Sequence, residues 1–279
     1  MKPHYFRSVF PFSLLLLQAS GALAQPSEEE EMALIYGDQA TVSIATGSKQ
    51  TLRSAPAVAT VITAEEIAAM GATDLDEVLE TVAGMHVSHG AISYVPSYTI
   101  RGIYSPLNPQ TLMLQNGIPT TTMFIGSKGN AWGGLPLENV ARIEIIRGPG
   151  SALYGADAYA GVINIITKTA ADAPGTEVGV RAGSFNTWDT WVQHGGTWGA
   201  VDVAAYVRVG STDGLSEIIA ADAQSANDKR TGTRASLAPG QVRTGRDAID
   251  ASLNLGYDKW RLRAGYKLRD NLQLGAGLT

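Results

Sequence analysis

The sequence predicts an α/β domain with a mixed sheet, followed by antiparallel strands that form the first part of a membrane-spanning β-barrel. Two observations support this fold class. Helix and strand signals alternate at short intervals between residues 57 and 170, and from about residue 173 strict alternation of apolar and polar residues replaces them. The 279 residues suffice for one large domain or two modest ones, at roughly 100 to 200 residues per domain.

Composition excludes several classes of function. The chain carries 21 basic and 26 acidic residues, a formal net charge of −5, so it lacks the basic character that nucleic-acid binding requires. A charged fraction of 17%, with 31 Gly and 12 Pro, favours many turns over long helices. The absence of Cys removes disulfide bonds, thiol catalysis and cysteine metal sites together.

Sequence motifs of enzymes are also missing. The glycines of Gly148–Gly150 resemble a dinucleotide-binding loop, but Leu153 occupies the position of the third glycine. Ser151 has no His nearby in sequence, and no Ser/His/Asp arrangement is evident. We therefore predict that the protein is not an enzyme and has no cofactor.

Residues 1–24 have the features of a secretory signal peptide. Lys2 and Arg7 form a basic head, residues 9–17 are largely apolar, and Ala22-Leu23-Ala24 is a small-residue cleavage signal. The apolar stretch is shorter than the roughly 20 residues of a spanning helix, so we expect cleavage and export rather than anchoring. Any membrane residence of the exported chain would depend on β-strands.

Residues 25–56 are predicted to be a polar arm. The acidic run Glu28–Glu31 is typical of a solvated tail, and residues 36–56 are small and polar without a sustained period. Within the arm lies a short segment of strand-forming residues, which suits pairing with another chain by strand addition: Thr41, Val42, Ser43, Ile44 and Ala45. An ordinary strand in a loop is the alternative.

The region 57–170 is predicted to alternate between strands and helices. A strand at residues 57–62 leads into the capping box of Thr63 and Glu66, which begins a short helix that Gly71 can end. Thr73 or Asp74 caps a second helix, whose buried face consists of Leu75, Val78, Leu79 and Val82. Further strands are predicted at Met85–Ser88, Tyr98–Gly102, Thr111–Pro119 with an Asn116-Gly117 turn, Arg142–Arg147 and Gly161–Lys168.

From about residue 173 the chain follows a period of two. Every even position from Trp260 to Leu268 is apolar or aromatic, and the odd positions include Arg261, Arg263 and Lys267. A helix would spread these cations around its circumference, so a strand with one polar face is favoured. The same alternation occurs at residues 176–183, 201–209 and 249–257, more weakly at 188–195, and it continues in phase from Trp260 to Ala276.

A soluble β-sandwich would also produce alternating strands. Two details favour a membrane barrel instead. The connections are short at Trp198-Gly199 and at Tyr257–Lys259 but long and polar from Ser211 to Arg246, as in barrels with periplasmic turns and outer loops. The polar face carries full charges on several strands, which suits a water-filled lumen, whereas the uniformly apolar face suits lipid.

The segment RIEIIRGPGSALYGADAYAGVINIITK at residues 142–168 resembles the plug-domain signature of TonB-dependent outer-membrane receptors. Supporting segments occur in family order: AVATVITAEEI from 57, LDEVLETVAGMHV from 75, TIRGI from 99 and LMLQNGIP from 112. The resemblance covers about residues 40–170 and is strongest to the cobalamin and catecholate-siderophore branch. It implies an α/β plug domain with a mixed sheet at 57–170, followed by the first antiparallel strands of an incomplete transmembrane β-barrel at 171–279.

The resemblance implies active uptake of a scarce large nutrient, such as a ferric siderophore or cobalamin, across the outer membrane of a Gram-negative bacterium. Because that membrane has no nucleotide supply and no steep ion gradient, energy would come through TonB and its inner-membrane complex. A passive porin or surface receptor is the alternative, but it needs neither a plug nor a coupling segment. A receptor that also signals would need a longer periplasmic domain than residues 25–40 provide.

The resemblance also implies roles for individual residues. Residues 41–45 would be the TonB box, and Arg101 and Arg147, with Arg142 in the same motifs, would lock the plug to barrel glutamates. Glu144 could instead pair locally with Arg142. Tyr94, Tyr104 and Trp132 would contact ligand from outward loops. His86 and His89 lie three apart in a strand and so point to opposite faces, which disfavours a metal or haem site.

Length is the largest departure from the family pattern. Barrels of this family have 22 strands and need on the order of 450 residues. Residues 175–279 supply five or six strands, which cannot close around a plug of over a hundred residues. We expect a fragment or a truncated reading frame, and we expect that this chain alone does not insert as a working transporter.

Overall fold

The computed structural model describes residues 41–42, 50–51, 58–89, 95–122, 126–150, 154–241 and 244–271. All of them belong to one compact unit, Gln39–Thr279. The predicted signal peptide, the acidic tail and the continuation of the last strand to Ala276 lie outside the described residues.

The first part of the described chain contains short strands and short helices. In chain order they are β1 (Thr41–Val42), β2 (Gln50–Thr51), β3 (Ala59–Thr63), α1 (Ala64–Met70), α2 (Leu75–Glu80), β4 (Met85–His89), β5 (Pro96–Ile100), β6 (Thr111–Gln115), β7 (Ile118–Pro119), α3 (Lys128–Trp132), β8 (Val140–Arg147) and β9 (Gly161–Thr167). The predicted strand 98–102 ends at Ile100, because Arg101 and Gly102 take positive φ angles of 51° and 77°.

Both predicted helices form, and both begin as their capping residues predict. The Thr63 hydroxyl accepts from Glu66 N at 3.3 Å, while Glu66 Oε2 accepts from Thr63 N at 2.7 Å. Gly71 ends α1 at φ 70°, a left-handed conformation that costs little without a Cβ. Asp74 caps α2 by accepting from Asp76 N and Glu77 N.

The sheet of this domain is mixed, as predicted. Its strand order is β3-β8-β9-β6-β7, in which β6 and β9 run parallel and the other neighbours are antiparallel. The core lies between the sheet and the two helices. It includes the fully buried side chains Leu75, Val78, Leu79, Tyr98, Ile143 and Ile163.

Five of the remaining strands form a second large sheet, which we call the barrel wall. In chain order the elements are β10 (Gly175–Gly183), β11 (Thr187–Trp198), β12 (Val201–Thr212), β13 (Ile218–Ile219), α4 (Ala223–Thr231), β14 (Gly240–Gln241), β15 (Arg246–Tyr257) and β16 (Trp260–Asp270). The wall order is β10-β11-β12-β15-β16, antiparallel throughout, while β13 and β14 pair only with each other. The connection from Ser211 to Arg246 is long, as predicted, but it contains β13, α4 and β14.

The two faces of the barrel wall have opposite environments. Much of the apolar face is exposed, with Val180 79% and Leu262 58% exposed, although Val203 on the same face is buried. The charged face is the covered one, since Asp189, Arg208 and Asp250 are all buried there. A soluble sandwich buries its apolar faces, so the structure disagrees with that alternative. None of the helices in the described part of the chain is long and apolar enough to cross a bilayer.

Candidate functional site

The candidate site is the contact between the α/β domain and the charged face of the barrel wall. The contact is discontinuous, because two cavities of about 350 and 330 Å³ separate the two surfaces. Asn116 and Arg263 line the larger cavity, and Trp132, Tyr206 and Lys267 line the smaller one. The α/β domain is therefore held at separate polar points rather than by a continuous apolar interface.

One polar point is the start of α2. The carboxylate of Asp74 lies 3.8 Å from Arg246 Nη2 of the wall, and Asp76 Oδ2 accepts from Gly134 N at 3.0 Å. Burial, followed by repulsion from Asp76, raises the pKa of Asp74 to about 6. The nearby guanidinium and the helix-capping bonds act in the opposite direction but do not offset burial.

A second polar point joins β16 to the end of α3. Lys267 Nζ donates to the carbonyl oxygens of Ala131 and Gly133 at 2.8 and 3.0 Å. Arg269 Nη2 donates to the carbonyl oxygen of Gly134 at 3.1 Å. Cations of the wall thus satisfy backbone carbonyls that remain without helical partners at the end of a helix.

A third polar point lies around residue 138. Glu138 Oε1 pairs with Arg181 Nη2, and its Oε2 accepts from the Tyr206 hydroxyl at 2.9 Å. Beside it, Asn139 Nδ2 donates to Ser252 Oγ at 2.7 Å. Sequence reasoning did not identify Glu138, because its partners lie 43 and 68 positions away along the chain.

The three predicted lock arginines lie in different surroundings. Arg101 and Arg147 come together at one corner, where Arg101 N donates to Gly84 O at 2.7 Å and Arg147 Nη1 bonds to Ala83 O. Arg147 Nη2 also donates to Thr60 Oγ1 at 3.0 Å. Its Nε is buried without a hydrogen-bond partner among the described residues, so the lock to barrel glutamates stays a prediction.

Arg142 does not join that corner. It lies five positions before Arg147 in β8 and therefore projects from the opposite face of the sheet. Its Nη2 and Nε contact Glu144 Oε1 at 2.8 and 2.9 Å, and the Glu144 side chain is fully buried. The structure thus contains the local pair that the sequence left open.

The predicted coupling segment is only partly described. Thr41 and Val42 form β1, which pairs antiparallel with Gln50–Thr51 of β2. Ser43, Ile44 and Ala45 lie outside the described residues. The assignment of residues 41–45 as a coupling segment therefore stays a prediction.

The aromatic residues predicted to contact ligand are not equivalent. Tyr104 is 58% exposed, whereas Tyr94 lies outside the described residues. Trp132 is only 2% exposed, packs in the core, and donates from Nε1 to Thr120 O at 3.0 Å. The expectation of a loop there is corrected, because α3 at Lys128–Trp132 turns this indole inward.

The two histidines lie three positions apart in β4 and so point to opposite faces of the strand, as predicted. His86 Nδ1 lies 3.0 Å from Glu80 Oε1, and Val87 N donates to Glu80 Oε2 at 2.6 Å. In the part of the chain that the structure describes, no group of three or more His, Asp or Glu side chains could hold a metal ion.

Comparison with known proteins finds similarity in both sequence and fold. The sequence profile of the TonB-dependent receptor plug domain matches residues 51–162, which comprise β2 to the start of β9. The structure is similar to the ferripyoverdine receptor of the outer membrane of Pseudomonas aeruginosa, with a TM-score of 0.60 at 20% identity. That alignment covers 82% of this chain and 27% of the receptor.

Curated relatives point in the same direction. The chain is 34% identical over 171 residues to a vitamin B12 transporter of Vibrio vulnificus, covering 61% of this chain and 27% of the transporter. It is 38% identical over 136 residues to an iron-regulated outer membrane virulence protein of Vibrio cholerae, covering 47% of this chain and 20% of that protein. The chain therefore matches about a quarter of the length of these relatives.

Proposed function

We propose that this chain carries the plug and the opening barrel strands of a receptor for active nutrient uptake, because the sequence profile of the TonB-dependent receptor plug domain matches residues 51–162. The receptor lies in the outer membrane of a Gram-negative bacterium. Its ligand is a scarce large nutrient, either a ferric siderophore or cobalamin, since similar proteins are named as transporters and receptors of these ligand classes.

One observation carries the proposal: the barrel wall presents its apolar face outward and its charged face to the plug. Val180 and Leu262 are largely exposed on the outer face, while Arg208 is buried on the inner face. In water such an arrangement would expose apolar area and bury charge, both at a cost. Lipid around the wall removes the first cost, and ion pairs with the plug and along the wall reduce the second.

Energy coupling follows from the compartment. The partner is TonB with its inner-membrane complex, and we propose residues 41–45 as the segment that it binds by strand addition. Arg101 and Arg147 are proposed to hold the plug until TonB pulls, because an arginine fork can bind a carboxylate bidentately. Tyr94 and Tyr104 are proposed to contact the nutrient.

Growth on defined nutrient sources tests the proposal. A strain lacking the gene is supplied in turn with single ferric siderophores or with cobalamin as limiting sources. We expect growth on one source to require both the gene and TonB. Growth that needs the gene but not TonB would contradict energy coupling and favour a passive channel.

A further inference from the structure

A line of alternating charges crosses the plug-facing side of the barrel wall, with one residue from each strand. We call it the charge belt: Arg181 of β10, Asp189 of β11, Arg208 of β12, Asp250 of β15 and Arg269 of β16. Consecutive pairs are separated by 3.7, 2.5, 3.5 and 2.9 Å. The belt runs across all five wall strands.

The charge belt is not balanced within the wall. It contains three guanidinium groups and two carboxylates, so each carboxylate is shared between two arginines and the belt carries a net charge of +1. Cations at such partly buried positions are costly unless they are paired and hydrogen-bonded. A carboxylate from another element would balance this charge.

Glu138 of the plug supplies it. Its side chain is 11% exposed, and one carboxylate oxygen pairs with Arg181 at the β10 end of the belt. The other oxygen accepts from the Tyr206 hydroxyl at 2.9 Å. Arg181 is held further by Asp189 and lies 5.4 Å from the centre of the Trp191 ring.

The plug contacts the other end of the belt as well. Arg269 Nη2 donates to Gly134 O at 3.1 Å while also contacting Asp250. The plug segment 134–138 therefore touches both ends of the charge belt, and Glu138 is its only charged residue. Moving the plug away would leave Arg181 paired only with Asp189, which already binds Arg208.

We propose that Glu138 is a positioning residue that seats the plug on the barrel wall by completing the charge belt. The seat uses different residues from the predicted arginine lock. The Glu138–Arg181 pair is one of the contacts that must break before ligand can pass. The inference rests on the proposed function, because only a transporter needs a plug that moves.

A cysteine reporter in the full-length receptor tests the seat in outer membranes. Residues 1–279 contain no Cys, and any Cys elsewhere in the receptor is first replaced by Ser. Ser252→Cys then places a thiol where Asn139 contacts the wall. Labelling by a bulky maleimide then reports plug displacement. We expect Glu138→Ala to accelerate labelling about tenfold, since a charge at the interface loses its partner. Glu138→Gln should accelerate it less, because an amide oxygen can still accept from Tyr206.

Glu177→Gln is the matched control. Glu177 accepts from Gln193 of the neighbouring wall strand at 2.5 Å, so this change removes a carboxylate without touching the plug. Its labelling rate should equal that of the parent. Heat-modifiable migration of each variant verifies that the barrel is folded. An unchanged rate in a folded Glu138→Ala receptor would overturn the proposal.

A double variant separates seating from general destabilisation. Arg181→Gln alone should also accelerate labelling, and combining it with Glu138→Gln should add little, because the two changes break one contact. If the double variant instead showed the product of the two single accelerations in labelling rate, the proposed Glu138–Arg181 pair would be contradicted. If the parent is labelled at the same rate with and without TonB, the proposed energy coupling is contradicted. The comparison of Glu138 variants in cells without TonB still tests whether Glu138 positions the plug.

Discussion

The Tyr98 hydroxyl donates a hydrogen bond to Asp76 Oδ1 at 2.8 Å in the interior of the plug. The same carboxylate accepts from Gly134 N at 3.0 Å through its other oxygen. Tyr98 is fully buried, and burial together with the Asp76 charge raises the pKa of its phenol. This one pair joins β5, α2 and the turn that contacts Lys267 and Arg269 of the wall.

Tyr98→Phe should destabilise the plug because it leaves Asp76 with one fewer donor. Loss of a hydrogen bond to a buried carboxylate costs about 1 to 3 kcal/mol. The melting midpoint of the detergent-solubilised protein measures the effect. Tyr159→Phe is the control. Because Tyr159 is 63% exposed, this variant should have the same melting midpoint as the parent. Equal midpoints for the two variants would mean that the Tyr98–Asp76 bond contributes little.

Asp74 should make stability depend on pH. Its pKa of about 6 in the folded plug exceeds its ordinary value of 3.8, so folding favours the protonated form. Its stabilising contribution is therefore complete below about pH 4 and is lost as the pH rises through 6. A pKa difference of about two units corresponds to at most about 3 kcal/mol in the free energy of unfolding.

Asp74→Asn should remove this dependence while keeping the helix cap, because Asn caps about as well as Asp. The measurement is the melting midpoint at several pH values between 4 and 7. The parent should lose stability across this range more steeply than the Asn variant. Parallel curves would show that Asp74 does not carry the effect.

The outer face of the barrel wall should tolerate charge only near the ends of its strands. Val207 lies in the middle of β12 and is 44% exposed, so in water an arginine there would cost little. In a bilayer a mid-strand arginine costs about 2 to 4 kcal/mol, falling towards zero near the interfaces. Val207→Arg should therefore reduce the amount of assembled receptor in outer membranes.

Val201→Arg is the comparison for Val207→Arg, because Val201 lies on the same face at the first position of β12. Its level of assembly should remain close to that of the parent. Quantifying the heat-modifiable band of each variant measures assembly. Equal losses for both positions would argue against a lipid-facing wall.

Local signals made much of the fold predictable. The helix α1 begins at the predicted Thr63–Glu66 capping box, and the Asn116-Gly117 turn forms with φ angles of 52° and 81°. Period-two alternation identified the strands of the wall and their polar faces, since side chains on a strand must alternate. The helix α4 also had a local signal that was overlooked, the Asp222–Ser225 capping box with Gly232 at its end.

The contacts between plug and wall were not predictable in this way. Glu138 meets Arg181 and Tyr206 only because two sheets pack together, and no sequence period reports such a meeting. The burial of Trp132 depends on α3, whose five residues are too short to display a helical period. The roles of Arg101 and Arg147 as a lock came from family resemblance and remain predictions.

Loss of uptake without loss of binding tests the central claim most directly. Ile44→Pro removes one backbone donor from the proposed coupling segment, and Ile44→Val keeps it as the matched control. Radiolabelled ligand, once identified by the growth assay, is followed for binding to cells and for transport into them. We predict that the Pro variant binds like the parent but transports at the level of a TonB deletion, while the Val variant does both. Undiminished transport by the Pro variant would contradict coupling through this segment.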